Sequence, residues 1–331
     1  MKITVYGFLV LFLSSMLFPS ISLASDSQIS QNITSHGTII YDNVTPSLQV
    51  FRAHTTTVLT VEQKNNASLL AENLDMYIAS FYWGNVIKKI HEIRLDVKCL
   101  LYRNMRAIYN YSSEWQMALD KGWILKDSSE NLVCSTIWPQ NYMVDIGNIE
   151  YQKWVANWIK EILDQYGYDG VFIDNGFNAA ISGIWWGATA QPINPRTGNL
   201  WTPDEVQEAW ISLYREIRRA IDSKLNVVNG ILEGPAFWRH QTVWMKLLSN
   251  CEVDGFMSEG LFNSGSDTGT GGSFYSEDKW KKSVDFVVWI QNNFLDQPGK
   301  VFLPHSRCDV NQIPLDCNQE QMATFVFSSL L

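Results

Sequence analysis

Apolar positions along the chain follow two alternating periods. Short apolar runs bounded by turn residues recur at 47–52, 74–82, 97–102, 170–174, 225–230, 255–259 and 300–304, and each reads as a strand. Between them apolar residues return every three or four positions. That spacing predicts helices over 85–94, 114–120, 150–165, 203–223, 235–249 and 277–294, with another opening at 319. The 150–165 helix carries its stripe on Trp154, Val155, Trp158, Ile159, Ile162 and Leu163, one face of a 3.6-residue turn. Thr202-Pro203-Asp204-Glu205 is a capping box with proline at the first helical position, and it sets the start of the 203–223 helix.

Strand, helix, strand in succession means stacked βαβ units and a parallel sheet. Seven or eight such units favour an α/β fold of the (β/α)8 TIM-barrel type over an open sheet. No eighth strand is visible before Leu331. The barrel is therefore expected to be incomplete at the C-terminus unless the N-terminal segment supplies a strand. Long connections at 103–147 and 175–201 break the regular alternation, and long insertions at strand ends often build sites. The Gly/Ser-rich stretch 263–273 reads as mobile.

The N-terminus changes the picture of where the protein works. Met1-Lys2, the apolar stretch 5–17 and Ser22-Leu23-Ala24 read as a signal peptide over 1–24, which predicts secretion. Residues 25–46 read as a linker, leaving one barrel domain over 47–331. Ser14, Ser15 and Pro19 make the leader a poor membrane span, and no later stretch is long and apolar enough for one.

A net charge of −9 argues against nucleic acid as a partner. Fourteen Trp is about three times the usual share. Most are expected in the core and about a third at a site as sugar platforms, with Trp154 and Trp158 assigned to the core by periodicity. Of the five cysteines, Cys99 and Cys251 read as buried, and Cys308 and Cys317 are spaced to close a small loop in an oxidising compartment. There is no Cys-x-x-Cys, no metal-ligand pattern among the histidines, no phosphate or dinucleotide loop and no Gly-x-Ser-x-Gly elbow. No metal or cofactor is expected.

Two of the strands carry one device. Asp169-Gly170 leads through Val171-Phe172-Ile173 to Asp174, and Asp254-Gly255 leads through Phe256-Met257-Ser258 to Glu259. Strand alternation points Phe172 with Asp174, and Met257 with Glu259. On the strand count the acids end strands four and six, at the barrel end where active sites sit. Two carboxylates facing one bond are the minimum for glycoside hydrolysis, one donating a proton and one attacking carbon or activating water. The bland alternative is that each acid pairs with an arginine or caps a helix. Asn175, Asn229 and His305 at strand ends, and Asp145 before the 150–165 helix, suit sugar hydroxyls. Tyr82, Trp83 and Tyr102 suit ring stacking, and Glu233 rivals Glu259 as the second acid.

The stretch Tyr168-Asp169-Gly170-Val171-Phe172-Ile173-Asp174-Asn175, with Asp145-Ile146-Gly147-Asn148 upstream and Glu259 downstream, resembles the TIM-barrel glycosidases of hypothetical glycosyl hydrolase family 15. These are related in pattern to the endo-α-1,4-polygalactosaminidases. The resemblance runs from about Val50 to the C-terminus and is densest from Trp123 to Asn175. It implies a strand-four aspartate as nucleophile, here Asp174, and a strand-six glutamate as acid/base, here Glu259. The expectation is a secreted glycoside hydrolase acting on a polysaccharide. The rivals are a carbohydrate-binding barrel without catalysis, an inactive truncated homologue, and a surface structural protein.

Overall fold

The computed structural model describes residues 7–10, 48–51, 53–55, 66–231, 234–259, 261, 263–264 and 273–305, with side chains for 66–231, 234–258, 261 and 275–304. The first strands are β1 (Gly7–Val10), β2 (Leu48–Phe51) and β3 (Ala53–Thr55), followed by helix α1 (Ala67–Asn73). Then come β4 (Met76–Ala79), a 3-10 turn at Phe81–Trp83, α2 (Gly84–Ile93) and β5 (Lys98–Asn104). A first excursion holds β6 (Ala107–Tyr109), α3 (Trp115–Asp120) and β7 (Asn141–Met143). It returns through α4 (Ile149–Tyr166) to β8 (Gly170–Asp174), then α5 (Pro203–Ile221) and β9 (Leu225–Asn229). Two helices, α6 (Gly234–Arg239) and α7 (Gln241–Asn250), precede β10 (Gly255–Glu259). The short β11 (Asn263–Ser264) and β12 (Ser273–Phe274), helix α8 (Glu277–Asn293) and β13 (Val301–His305) complete the described chain.

Local chemistry explains the long helices. Asn148 Oδ1 accepts the N–H groups of Glu150 at 2.9 Å and Tyr151 at 3.1 Å, starting α4. Gly167, at φ 79°, stops it in the left-handed conformation that glycine tolerates. The capping box before α5 forms as the sequence predicts, Thr202 Oγ1 accepting from Glu205 N and Glu205 returning the bond. The single helix expected over 235–249 is two helices, because the backbone leaves helical angles at His240 (φ −125°, ψ 21°). The ends of the Gly/Ser-rich stretch pair antiparallel as β11 and β12; residues 265–272 lie outside the described residues, as does the helix expected after 319.

Seven strands form one parallel sheet in the order β13-β10-β9-β8-β5-β4-β3. One face packs on the helices. The other carries Met76, Ile78, Leu100, Phe172, Val227, Met257 and Leu303, all buried in one cluster. Among the described residues, only further strand residues, Tyr102, Leu225 and Val301, pack against that cluster. A sheet face that is buried without a helix over it must be covered by the sheet itself, so the sheet curls around this inner core. At the seam, β1 pairs in parallel with β2 and lies beside β13. The N-terminal segment thus contributes a strand, and that strand falls within the stretch read as a leader.

The repeated Asp-Gly device braces the lower end of the sheet in the same way twice. The Asp169 carboxylate accepts the Cys99 N–H of β5 at 2.8 Å, and its carbonyl accepts the Leu225 N–H of β9 at 2.9 Å. The Asp254 carboxylate accepts the Asn226 N–H of β9 at 2.8 Å, and its carbonyl accepts the Val301 N–H of β13 at 2.8 Å. Each aspartate therefore ties its own strand to both neighbours. The glycine that follows is required by close approach: a Cβ would lie 2.1 Å from Leu225 O at Gly170 and 2.6 Å from Val301 O at Gly255. Cations complete both braces, His91 and Lys98 on Asp169 and Arg218 on Asp254.

Candidate active site

Five residues above the first brace, β8 ends at Asp174, directly over Phe172 of the inner core. The half-buried carboxylate is held from three directions. Tyr102 of β5 donates its hydroxyl to Oδ2 at 2.5 Å, and Asn229 at the end of β9 donates Nδ2 to Oδ1 at 2.9 Å. Asn175 donates its backbone N–H to Oδ1 at 2.8 Å and its side-chain Nδ2 to Oδ2 at 2.9 Å. All four bonds are donated to the acid, the pattern an acceptor-only carboxylate takes.

The loop after Asp174 is backbone-strained. Asn175, Phe177 and Ala179 have φ of 55°, 60° and 63°. Asparagine tolerates that region, while a bulky phenylalanine there is uncommon and costs energy. The turn is also tight. Gly230, at φ 141°, follows Asn229, and a Cβ on it would lie 1.9 Å from Gly176 O. The chain leaving β8 therefore touches the chain leaving β9, and this contact lets Asn229 reach across to Asp174.

Asp174, Asn175 and Asn229 face a cavity of about 540 Å³ whose other walls come from Trp138, the 176–186 loop, Ile231 and Trp244. Buried Arg106, 1% exposed, supports one wall by donating Nη1 to the Trp186 carbonyl at 2.8 Å. Burial pulls its guanidinium below the ordinary value, and the charge of Asp174 opposes that.

The second expected acid is placed by its backbone. Ile173 pairs with Val228, and Asn229 with Met257, so one more step along the register sets Asp174 level with Met257. Glu259 lies two residues further up β10, opposite His305. Strand spacings of about 4.8 Å and rises of about 3.3 Å put the two Cα atoms roughly 12 Å apart on a flat sheet. Curling shortens that separation. The side chains of Glu259 and His305, and the whole of Glu233, lie outside the described residues.

The other sequence candidates divide. Tyr102 meets Asp174 through its hydroxyl and packs its ring on Phe172, centroids 6.4 Å apart, so it holds the acid instead of offering a free stacking face. Asp145 is 2% exposed and bound on both oxygens by Arg196, at 2.9 and 3.0 Å. Its expected role on a sugar hydroxyl gives way to a structural ion pair. Tyr82, 76% exposed, and Trp83 sit on the 3-10 turn after β4 and do not line the cavity. Trp154 and Trp158 flank α4 as periodicity predicts, with the Arg103 guanidinium over the Trp158 ring at 4.7 Å. The sequence reading gave no role to Trp138, Trp186 or Arg106. Arg106 carried a signal, a charge between apolar Met105 and Ala107-Ile108.

At the opposite end of β5 and β8, His91, Cys99 and Asp169 gather potential ligand atoms within 4.8 Å of one another. His91 Nε2 is 3.2 Å from Asp169 Oδ2 and 3.1 Å from Val97 O, and burial pushes the Cys99 thiol up. These groups are spent on the brace described above. Cys99, Cys134 and Cys251 are free thiols, and the expected Cys308–Cys317 pair lies outside the described residues.

No curated protein matches the chain. Among solved structures, the glycoside hydrolase domain of PelA from Pseudomonas aeruginosa is 10% identical, with a TM-score of 0.46 over 72% of this chain and 78% of that one. Ega3 from Aspergillus fumigatus, in complex with galactosamine, is 13% identical, with a TM-score of 0.46 over 78% and 81%. The chitinase domain of the spore coat protein CotE from Clostridium difficile is 13% identical, with a TM-score of 0.42 over 87% and 74%. The family model is the more direct comparison, because it matches residues 91–296, well over half of the 331, and runs from the lower brace through both acid-bearing strands. On that match, the chain belongs to hypothetical glycosyl hydrolase family 15.

Proposed function

We propose that the protein is a secreted glycoside hydrolase that cleaves a polysaccharide by paired-carboxylate chemistry, with Asp174 as nucleophile or base and Glu259 as acid. The observation that carries the reading is Asp174 itself: a carboxylate at the C-terminal end of a central parallel strand, open to a 540 Å³ cavity and held by four donors. An acid oriented from three sides has one rotamer available, which is what in-line attack on an anomeric carbon requires. Its contacts are all donated to it, which suits attack or base work and leaves proton donation to the second acid. Glu259 suits that part by register, two residues further up β10 than Met257 of the inner core.

Asn175 and Asn229 line the same cavity while their amide nitrogens donate to Asp174, and hydroxyl recognition beside the reacting bond falls to what remains of their amide groups. Secretion follows from the leader-like 1–24. Cleavage after Ala24 would remove β1, so N-terminal sequencing of the exported protein tests both the leader and the seam strand.

The test of activity is a hydrolysis screen across a polysaccharide panel, amino-sugar polymers included because a net charge of −9 attracts polycations. Reducing ends should appear with wild type and not with Asp174→Asn or Glu259→Gln. Equal release by wild type and Asp174→Asn would remove Asp174 from the chemistry.

A further inference from the structure

Of the fourteen Trp side chains, only Trp138 and Trp186 are exposed, at 42% and 55%, and both line the Asp174 cavity. An indole face left in water forgoes the full or partial burial that the other twelve obtain, so two such faces on one cavity suit a ligand. The two come from different excursions, Trp138 from the segment between α3 and β7 and Trp186 from the loop after β8.

Those excursions are stitched together. Thr136 N donates to Gly187 O at 2.7 Å, Thr189 N donates to Cys134 O at 2.8 Å, and Ser135 and Ala188 form an antiparallel bridge. Beneath Trp186, its carbonyl is fixed by Arg106, and its neighbour Trp185 is buried against Trp201 with centroids 6.0 Å apart. The Trp138 backbone N–H donates to Ser135 Oγ at 3.2 Å. Two exposed indoles are thus carried on a rigid double loop, which lowers the ordering cost of binding.

The lining also has a charge character. No lysine or arginine lines the cavity among the described residues, and Asp174 is the one ionisable side chain there. A hexose ring without a carboxylate fits such a wall, its C–H face on an indole and its hydroxyl edge toward the asparagines. A uronic acid would bring a second negative charge beside Asp174 with no lysine or arginine among the described lining residues to meet it, the Arg106 guanidinium being buried behind the wall.

We infer that Trp138 and Trp186 form a polysaccharide-binding wall beside Asp174 that seats the C–H faces of neutral or amine-bearing hexose rings and rejects uronic acid polymers. The ligand class rests on the glycosidase reading above.

Affinity electrophoresis at about 0.15 M salt, which screens long-range charge, tests it with gels containing galactomannan, chitosan or polygalacturonate. Wild type and Asp174→Asn should be retarded by galactomannan or chitosan and not by polygalacturonate. Trp138→Ala/Trp186→Ala, which keeps the net charge and so controls for simple attraction to chitosan, should bind about tenfold or more weakly. Circular dichroism of the double variant guards against misfolding, and Trp138→Phe/Trp186→Phe should recover most of the retardation. Retardation that survives the double alanine variant, retardation by polygalacturonate, or retardation by none of the three overturns the wall. An active Asp174→Asn with a binding-deficient tryptophan variant would instead overturn the catalytic reading and leave the wall standing.

Discussion

Asp174 takes its bonds from residues on three neighbouring segments, and each bond has a separate consequence. Removing the Tyr102 hydroxyl leaves Oδ2 with Asn175 alone and frees the carboxylate to turn. Tyr102→Phe keeps the ring on Phe172, so the fold should hold while kcat falls by about tenfold, the equivalent of roughly 1.4 kcal/mol of lost positioning. Steady-state kinetics beside a thermal melt checks this, and an unchanged kcat would show that Tyr102 is a bystander. The aspartates illustrate why local sequence alone is ambiguous about carboxylates. Asp145, Asp169 and Asp174 all sit at turns next to apolar segments. Asp145 meets Arg196, Asp169 meets a histidine and a backbone N–H, and Asp174 alone of the three lines the cavity. Arg196, Cys99 and Tyr102, the partners of the three, lie 51, 70 and 72 residues away along the chain, and no local pattern carries that distance.

At the scale of elements, the turns after β8 and β9 act as one unit. Asn175-Gly176 and Asn229-Gly230 end the two strands alike, and the glycines touch. Gly230→Ala places a methyl on Gly176 O in a conformation that L-residues rarely adopt. It should destabilise by about 1–3 kcal/mol and lower activity beyond the stability loss, because Asn229 can no longer reach Asp174. Urea denaturation and kcat measured together check both parts; wild-type values in both would contradict the close approach. The strands and long helices were legible because period-two and 3.6-residue patterns arise from burial of one face, and the capping box from satisfying helix-end N–H groups. The shorter β6, β7 and α1 were not, since three to seven residues hold too little pattern. The cavity wall was illegible for a different reason: Trp138 and Trp186 are 48 positions apart in the sequence, and only the cross-loop hydrogen bonds bring them together.

For the molecule as a whole, the two ends of the sheet differ, with the lower end braced by Asp-Gly units and the upper end carrying the Asp174 cavity. The brace makes stability depend on pH. The Asp169 hydrogen bond raises the His91 pKa, against burial, which lowers it. That contribution is present in full below the unfolded value near 6.5 and is lost as pH rises through the higher folded value. Burial tends to raise the Asp169 carboxyl but is outweighed by the bonds from His91 and the Cys99 N–H, so it falls below its ordinary value. Its contribution is present above about pH 4 and is lost as pH falls through the lower folded value. His91→Gln should therefore destabilise the protein more at pH 5.5 than at pH 8.5, by up to about 1 kcal/mol. Equal effects at both pH values, read from urea midpoints, would contradict the pair.

The account turns on Asp174 as the working carboxylate at the mouth of the curled sheet. The most direct measurement is the ratio of kcat for wild type and Asp174→Asn on whichever polysaccharide wild type hydrolyses, with both proteins shown to be equally folded. Asparagine keeps the shape but can neither attack nor accept a proton, so the ratio should be about a thousand or more. A ratio within about tenfold, at equal stability, would contradict it.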